Sequence, residues 1–162
     1  AKTPGVQSMM EKAFGMGLSF MAGIRNFGAL GTLAFADVGS VVQLMLDMEL
    51  ISALKKFAEG FDVSEETIAE EIIKEVAPKG ACFLESEHTL KYFRQYQWFP
   101  ELMDRQVPGA WIKNPVDILE NAKKKALHLI KTAPNKCPLK EWQKKELLKL
   151  LKDADEKLGK ER

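Results

Sequence analysis

Apolar side chains recur at spacings of three and four along most of this chain, the signature of amphipathic helices. Val41, Leu44, Met45, Met48, Ile51, Leu54 and Phe57 form one such stripe. Ser40 can cap it and Gly60 can end it, which predicts a helix over 40–59. Ser64 followed by Glu65 and Glu66 predicts a second start, because the helix dipole favours anions in the first turn. Ile68, Ile72, Ile73 and Val76 would form its inner face, and Pro78, Lys79 and Gly80 read as a turn. A third helix begins at about Ser86 and carries Leu90 and Phe93, before an irregular stretch at Trp98, Phe99 and Pro100. Asn114-Pro115, with Asp117 three residues after Asn114, predicts a capped start with proline at the first helical position and a helix to about Lys131. Pro138 opens a last helix with Leu139, Trp142, Leu147, Leu150 and Leu151 on its apolar side.

The first 35 residues follow another pattern. Ala1 to Gly5 read as a loop. From Val6 to Gly23 the chain carries Met9, Met10, Phe14, Met16, Leu18, Phe20 and Met21, with Glu11 and Lys12 as the charged positions. Such a segment is expected to be buried against something. Gly15, Gly17 and Gly23 lower its helix propensity while allowing another backbone to approach. Residues 24 to about 30 read as one buried strand leaving into a glycine-bounded loop. No second convincing strand follows, so the sheet it needs would come from a second copy or from sequence outside this chain. The expected class is therefore mostly α.

Composition narrows the function. The 162 residues are 46% hydrophobic and 29% charged, with 24 Lys and Arg against 23 Asp and Glu. This is enough apolar content for a core, and a net charge of +1 argues against nucleic-acid binding. The two cysteines, Cys82 and Cys137, stand without histidine or cysteine at ligand spacing, so no metal site is expected and a reducing cytoplasm fits. No apolar run is long enough to span a membrane, and no leader pattern is visible at the start. Residues 61–90 hold eight acidic and two basic side chains, whereas 115–138 hold five lysines against Asp117 and Glu120. Solvated helix faces or a protein-docking surface would account for both. No glycine-rich phosphate loop or Ser/His/Asp set is present, so no residue is assigned as catalytic.

Two stretches go beyond composition. One is Ala1-Lys2, Pro4, Gln7 and Glu11-Lys12. The other runs from Phe83-Leu84 through His88-Thr89-Leu90, Phe93-Arg94, Trp98, Pro100, Leu102 and Asp104-Arg105, with Trp111 shortly after. Together with Gly23, Gly31, Leu33, Ser40, Gln43 and Leu44, and with Gly60, Val63-Ser64-Glu65-Glu66-Thr67, they resemble the C-terminal third of the trimethylamine methyltransferase family, the cobamide-dependent amine methyltransferases. Gly5, where that family usually has an acidic residue, and Met9, where it usually has glycine, depart from the pattern.

The resemblance implies a C-terminal fragment of a (β/α)8 TIM barrel plus a helical extension. Residues 1–60 would be the last portion of the barrel, with strand 8 at about 24–30 and the final helix at 40–59. Residues 61–162 would be the extension. The preceding barrel portion would then be the partner that covers the apolar start. The resemblance further implies an in-frame amber codon for pyrrolysine a few residues upstream of Ala1, with a deliberately cloned piece as the rival origin.

The implied reaction moves a methyl group from a methylated amine, trimethylamine or a quaternary amine, to the Co(I) corrinoid of a partner protein. The cobamide belongs to that partner and no cofactor is bound directly; the chain alone would be inactive. Lys2, Gln7 and Glu11 would border the active face, with Gly31 and Asp37 in the loop after strand 8, lining the substrate cavity or the partner face. His88, Thr89, Arg94, Asp104 and Arg105 would lock the extension onto the barrel: His88 and Thr89 by bonds to backbone, the other three by a bridge. A second reading remains open, a self-contained helical interaction module that buries residues 6–35 by forming a homo-oligomer.

Overall fold

The computed structural model describes residues 1–134, 136 and 138–158. It divides into two units, 1–130 and 131–162. The first unit opens with helix α1 (Val6–Met21). A short antiparallel hairpin follows, β1 (Thr32–Leu33) and β2 (Val38–Gly39), in the register Thr32 to Gly39 and Leu33 to Val38. Then come α2 (Val41–Glu59), α3 (Glu65–Ile68), α4 (Glu70–Val76), α5 (Glu87–Tyr96), α6 (Pro108–Lys113) and α7 (Ile118–Thr132), the last crossing into the second unit. In the second unit lies α8 (Glu141–Leu158). Its start is capped from behind, with the Lys140 N–H donating to Gln143 Oε1 at 2.8 Å. The mostly helical class is therefore as expected.

Several helix ends obey the capping chemistry legible in the sequence. Ser40 Oγ accepts the Gln43 N–H at 3.2 Å, and Gly60 ends α2 at φ 63°. Ser64 Oγ accepts the Thr67 N–H at 3.3 Å while Thr67 Oγ1 accepts the Ser64 N–H at 2.9 Å, a reciprocal box. The helix after Ser64 is interrupted, however. Ala69 takes a left-handed conformation, φ 53°, and splits it into α3 and α4. The start expected at Asn114 is shifted as well. Asp117 is the cap, its Oδ1 accepting the Leu119 N–H at 2.7 Å and the Glu120 N–H at 3.3 Å. Asn114 instead ends α6.

The expected strand at 24–30 is not a strand here. Residues 24–29 have no regular secondary structure. A strand exists through its ladder, and among the described residues no neighbour pairs with this segment. The expected burial of the apolar start is also unmet within this chain. Despite its glycines, 6–21 is helical, because α1 packs one face on α2. Its other face presents Val6, Met10, Phe14, Leu18 and Met21 to solvent, Phe14 at 73% exposure.

The core lies where α2 meets α7 and the segment after α5. Met45 and Leu46 of α2, Leu102, and Ala122 and Ala126 of α7 form it, with Met9, Val42, Leu44, Ile118 and Leu119 around it. Ala122 and Ala126, one turn apart, leave room for the Leu46 side chain. Complete burial of such a leucine contributes about 1.5–3 kcal/mol.

Candidate functional site

The first turns of α1 and the hairpin face each other across a cleft of about 960 Å3. Lys2, Gln7, Glu11 and Lys12 line one wall, while Thr32, Phe35 and Asp37 line the other. Four residues singled out from the sequence, Lys2, Gln7, Glu11 and Asp37, are thus brought to one place. Gly31, the fifth, lies buried behind the second wall.

Glu11 is oriented at both oxygens. Oε1 accepts from Gln7 Nε2 at 2.7 Å and Oε2 from the Ala1 ammonium at 2.6 Å. The opposite wall is unusual in its backbone. Ala34, Phe35 and Ala36 have φ of 49°, 57° and 75°, three left-handed residues in succession between β1 and β2. Each costs of order 1–3 kcal/mol for an L-residue. The turn is held by the hairpin pairing and by the Ala34 N–H, which donates to Ala1 O at 2.8 Å. Phe35 stands fully exposed at its tip.

Behind the cleft lies a polar network centred on Asp47, which the motifs did not single out, although its partners Lys12, Gly31 and Gln43 belong to them. The Asp47 carboxylate is wholly buried on α2. Its Oδ2 accepts from Lys12 Nζ at 2.5 Å and from the Gly31 N–H at 2.7 Å; its Oδ1 accepts from Gln43 Nε2 at 2.6 Å. Lys12 Nζ also donates to Ala29 O at 3.2 Å. One carboxylate therefore ties α1, the 29–31 loop and α2 together. With a cation and two amide donors against it, this carboxylate meets the condition under which a buried charge is tolerated. The signal was present in the sequence as a Gln-x-x-x-Asp pair at helical spacing inside an apolar helix. Its partner Lys12 could not be read off, because it lies 35 positions away.

Gly31 is shaped by the same junction. Its φ is +72°, and a Cβ there would sit 3.0 Å from Leu44 Cβ and 3.2 Å from Ser40 O. The close approach of the loop to α2 therefore requires glycine.

The family model described as trimethylamine methyltransferase (MTTB) matches residues 1–157. The chain belongs to the trimethylamine methyltransferase family. Trimethylamine methyltransferase MttB of Methanosarcina thermophila is 36% identical over 111 residues, 68% of this chain and 23% of that protein. MttB of Desulfitobacterium hafniense (strain DSM 10664 / DCB-2) is 27% identical over 142 residues, 86% of this chain and 28% of its own length. A glycine betaine methyltransferase of D. hafniense (strain Y51) is 26% identical over 124 residues, 75% of this chain and 26% of that protein. The chain thus spans about a quarter of the length of these methyltransferase relatives.

The second stretch that carried the family resemblance lies apart from the cleft lining. His88 Nε2 is 2.9 Å from Glu66 O, and Thr89 Oγ1 donates to Phe83 O at 2.7 Å. The Thr89 N–H donates to Ser86 Oγ at 3.2 Å, the cap of α5. Both residues bond to backbone, and they join α5 to the turn before it and to α3. The expected bridge among Arg94, Asp104 and Arg105 is not formed among the described residues. Asp104 Oδ1 instead accepts the Gln106 N–H at 3.0 Å, and the Arg105 guanidinium lies 5.9 Å from the centre of the Trp98 ring. All three side chains are exposed, where water competes for each charge and a bridge gains little. The segment is held by a residue outside the predicted set: buried Glu49, whose Oε1 accepts the Leu102 N–H at 2.8 Å. Trp98 Nε1 donates to Ser52 Oγ at 3.0 Å, so this indole is anchored to α2.

Among the described residues no cluster of His, Cys, Asp and Glu is arranged to hold a metal ion. No described helix is long and apolar enough to cross a membrane. Cys82 is exposed and free, and Cys137 lies outside the described residues.

Proposed function

We propose that this chain is the C-terminal part of a methyltransferase that moves a methyl group from a methylated amine to the Co(I) corrinoid of a partner protein. The observation that carries the reading is the family match over residues 1–157. The amine is trimethylamine or a quaternary amine, in keeping with relatives named for trimethylamine and for glycine betaine. In the transfer the C–N bond of a quaternary or protonated amine breaks and its electron pair stays on nitrogen, which departs as a neutral amine. A Co(I) corrinoid held by the partner protein would supply the pair for the new bond to carbon. The protein's task is to align donor and acceptor and to exclude water. In the cleft, the Glu11 and Asp37 carboxylates attract a cationic amine, while Gln7 orients Glu11.

Residues 1–60 form the last portion of a (β/α)8 barrel in this reading, and 61–162 its helical extension. Two features support it. The exposed stripe from Val6 to Met21 has the character of a surface meant to be covered. The unpaired stretch 24–29 lies where a neighbouring strand would supply the ladder. The loops after barrel strands carry the chemistry in such folds, and in this reading the cleft belongs to the active face. The rest of the barrel and the corrinoid protein are then the chain's partners, and the chain by itself does not turn over.

The test is methylation of a corrinoid protein in its Co(I) state, with trimethylamine or glycine betaine as donor. The chain is assayed alone and together with the polypeptide encoded immediately upstream. Transfer that needs both pieces is expected. Transfer by the chain alone to free Co(I) cobalamin would overturn its incompleteness. No transfer from either amine by the assembled pieces would overturn the reaction. A defined homodimer that covers the Val6–Met21 stripe would replace the barrel reading with that of an interaction module.

A further inference from the structure

The Asp47 network does more than satisfy a buried charge. It also anchors the loop that leads into the hairpin wall of the cleft. The Gly31 N–H is bonded to Asp47, and Gly31 O accepts the Ser40 N–H at 2.8 Å. Ala29 O receives the Lys12 ammonium, and Thr32 Oγ1 donates back to Ala29 O at 2.6 Å. Lys12 itself lines the cleft, on the wall opposite Phe35 and Asp37. One carboxylate thus grips a cation from α1 and an amide from the loop at the base of the cleft, while the Ala34 N–H to Ala1 O bond ties the two walls at the hairpin tip.

We infer that Asp47 is a positioning residue of this cleft, with Lys12 as its lever. Asp47 fixes the distance between the α1 wall and the loop that carries Phe35 and Asp37. It also occupies the Lys12 ammonium, so that this lysine, although it lines the cleft, is already paired when a cationic ligand meets Asp37. The consequence for the amine rests on the proposed function; the geometric role does not. Asp47 touches no cleft ligand itself, and its effect passes through Lys12 and Gly31.

Amide exchange on the full chain tests the geometric role. In Asp47→Asn the carboxylate's charge is lost and its shape kept. The Gly31 amide should then exchange about tenfold faster or more, the scale of one lost bond to a charged acceptor. The Leu46 and Ala126 amides in the core should keep their rates. Lys12→Met should speed Gly31 in the same direction, and Lys12→Arg should restore it. A Gly31 rate unchanged in Asp47→Asn overturns the inference, and so does an equal acceleration at Leu46. Should Asp47→Asn fail to fold, the Lys12 pair decides: no difference between Lys12→Met and Lys12→Arg at Gly31 overturns it. In the assembled methyltransferase, Asp47→Asn should raise KM for the amine by a larger factor than it lowers kcat. Absence of any methyl transfer would defeat the proposed reaction and leave the exchange result standing; a fall in kcat at constant KM would defeat the positioning role alone.

Discussion

Helix α2 holds its neighbours by two different devices, one on each side. Toward α1 and the loop, Asp47 binds a cation, an amide N–H and a side-chain amide. Toward the segment after α5, Glu49 accepts two backbone N–H groups, from Leu102 at 2.8 Å and from Met103 at 3.4 Å, and no cation is paired with it among the described residues. Both carboxylates are buried. One is a charge pair spanning two elements; the other works like a helix cap placed on someone else's backbone. The difference teaches that the cleft side is specified by charge and the extension side by backbone geometry, and substitutions can separate the two.

The largest effect is expected at Asp47. Asp47→Ala strands the Lys12 ammonium and the Gly31 N–H, and loss of one partner of a buried pair costs about 3–5 kcal/mol. Lys12 keeps 19% side-chain exposure and can turn toward water, so the lower end is expected. Urea unfolding would show a lower midpoint at constant slope. Adding Lys12→Met should recover part of the loss, a non-additivity diagnostic of the pair.

Glu49→Ala should cost less, about 1–3 kcal/mol, because a buried N–H at Leu102 is left unpaired but no cation is stranded. Lys12→Met in that background should add its full separate cost, in contrast to its behaviour beside Asp47→Ala. Coupling between Lys12 and Glu49 as strong as that between Lys12 and Asp47 would collapse the distinction.

The helix framework was legible because its signals are local. Ser40, Gly60 and Ser64 act within one turn of their own position, and each caps as read. The strand at 24–30 failed because an apolar run states a wish for burial, and only a neighbour makes it a strand. Asn114 lost the cap to Asp117, whose carboxylate sits directly before the helix. Lys2, Gln7, Glu11 and Gly31 were marked by the family motif and Asp37 by its place in the loop after the implied strand 8; their convergence needed the hairpin's return toward α1. Asp47 and Glu49 escaped notice since a charge within an apolar helix reads equally as an exposed position. Their partners, 35 and 53 positions away, exist only in the fold.

Trp98→Phe sharpens the extension side at a smaller scale. It keeps the ring and deletes the indole N–H that reaches Ser52 Oγ. A single neutral hydrogen bond contributes about 0.5–1.5 kcal/mol, and Ser52→Ala should give a similar loss that is not additive with it. If the two losses add in full, Trp98 is held by packing and the polar anchoring of this side reduces to Glu49.

The smallest effect belongs to the exposed contact between α3 and α5, where Lys91 meets Glu66. The hydrogen bond from Lys91, and secondarily that from Tyr92, lowers the Glu66 carboxyl from 4.5; the Glu66 partner raises Lys91 from 10.5. A depressed carboxyl stabilises the fold above its unfolded value, and the gain is lost as pH falls through the lowered folded value. A raised amine contributes below its unfolded value, and that gain is lost as pH climbs through the raised folded value. The pair therefore supports the fold between these limits and fades at both. Both side chains are about 60% exposed, so salt screens them. Lys91→Met should lower the melting temperature at neutral pH by less than Trp98→Phe does, and by nothing measurable in about 1 M salt. It should also flatten the acid limb of the stability curve while Asp47→Asn leaves the salt dependence in place. A salt-resistant loss in Lys91→Met would mean that this surface contact is buried by something the chain meets in its assembled state, and would move it from the solvated side of the comparison to the side of the two α2 carboxylates.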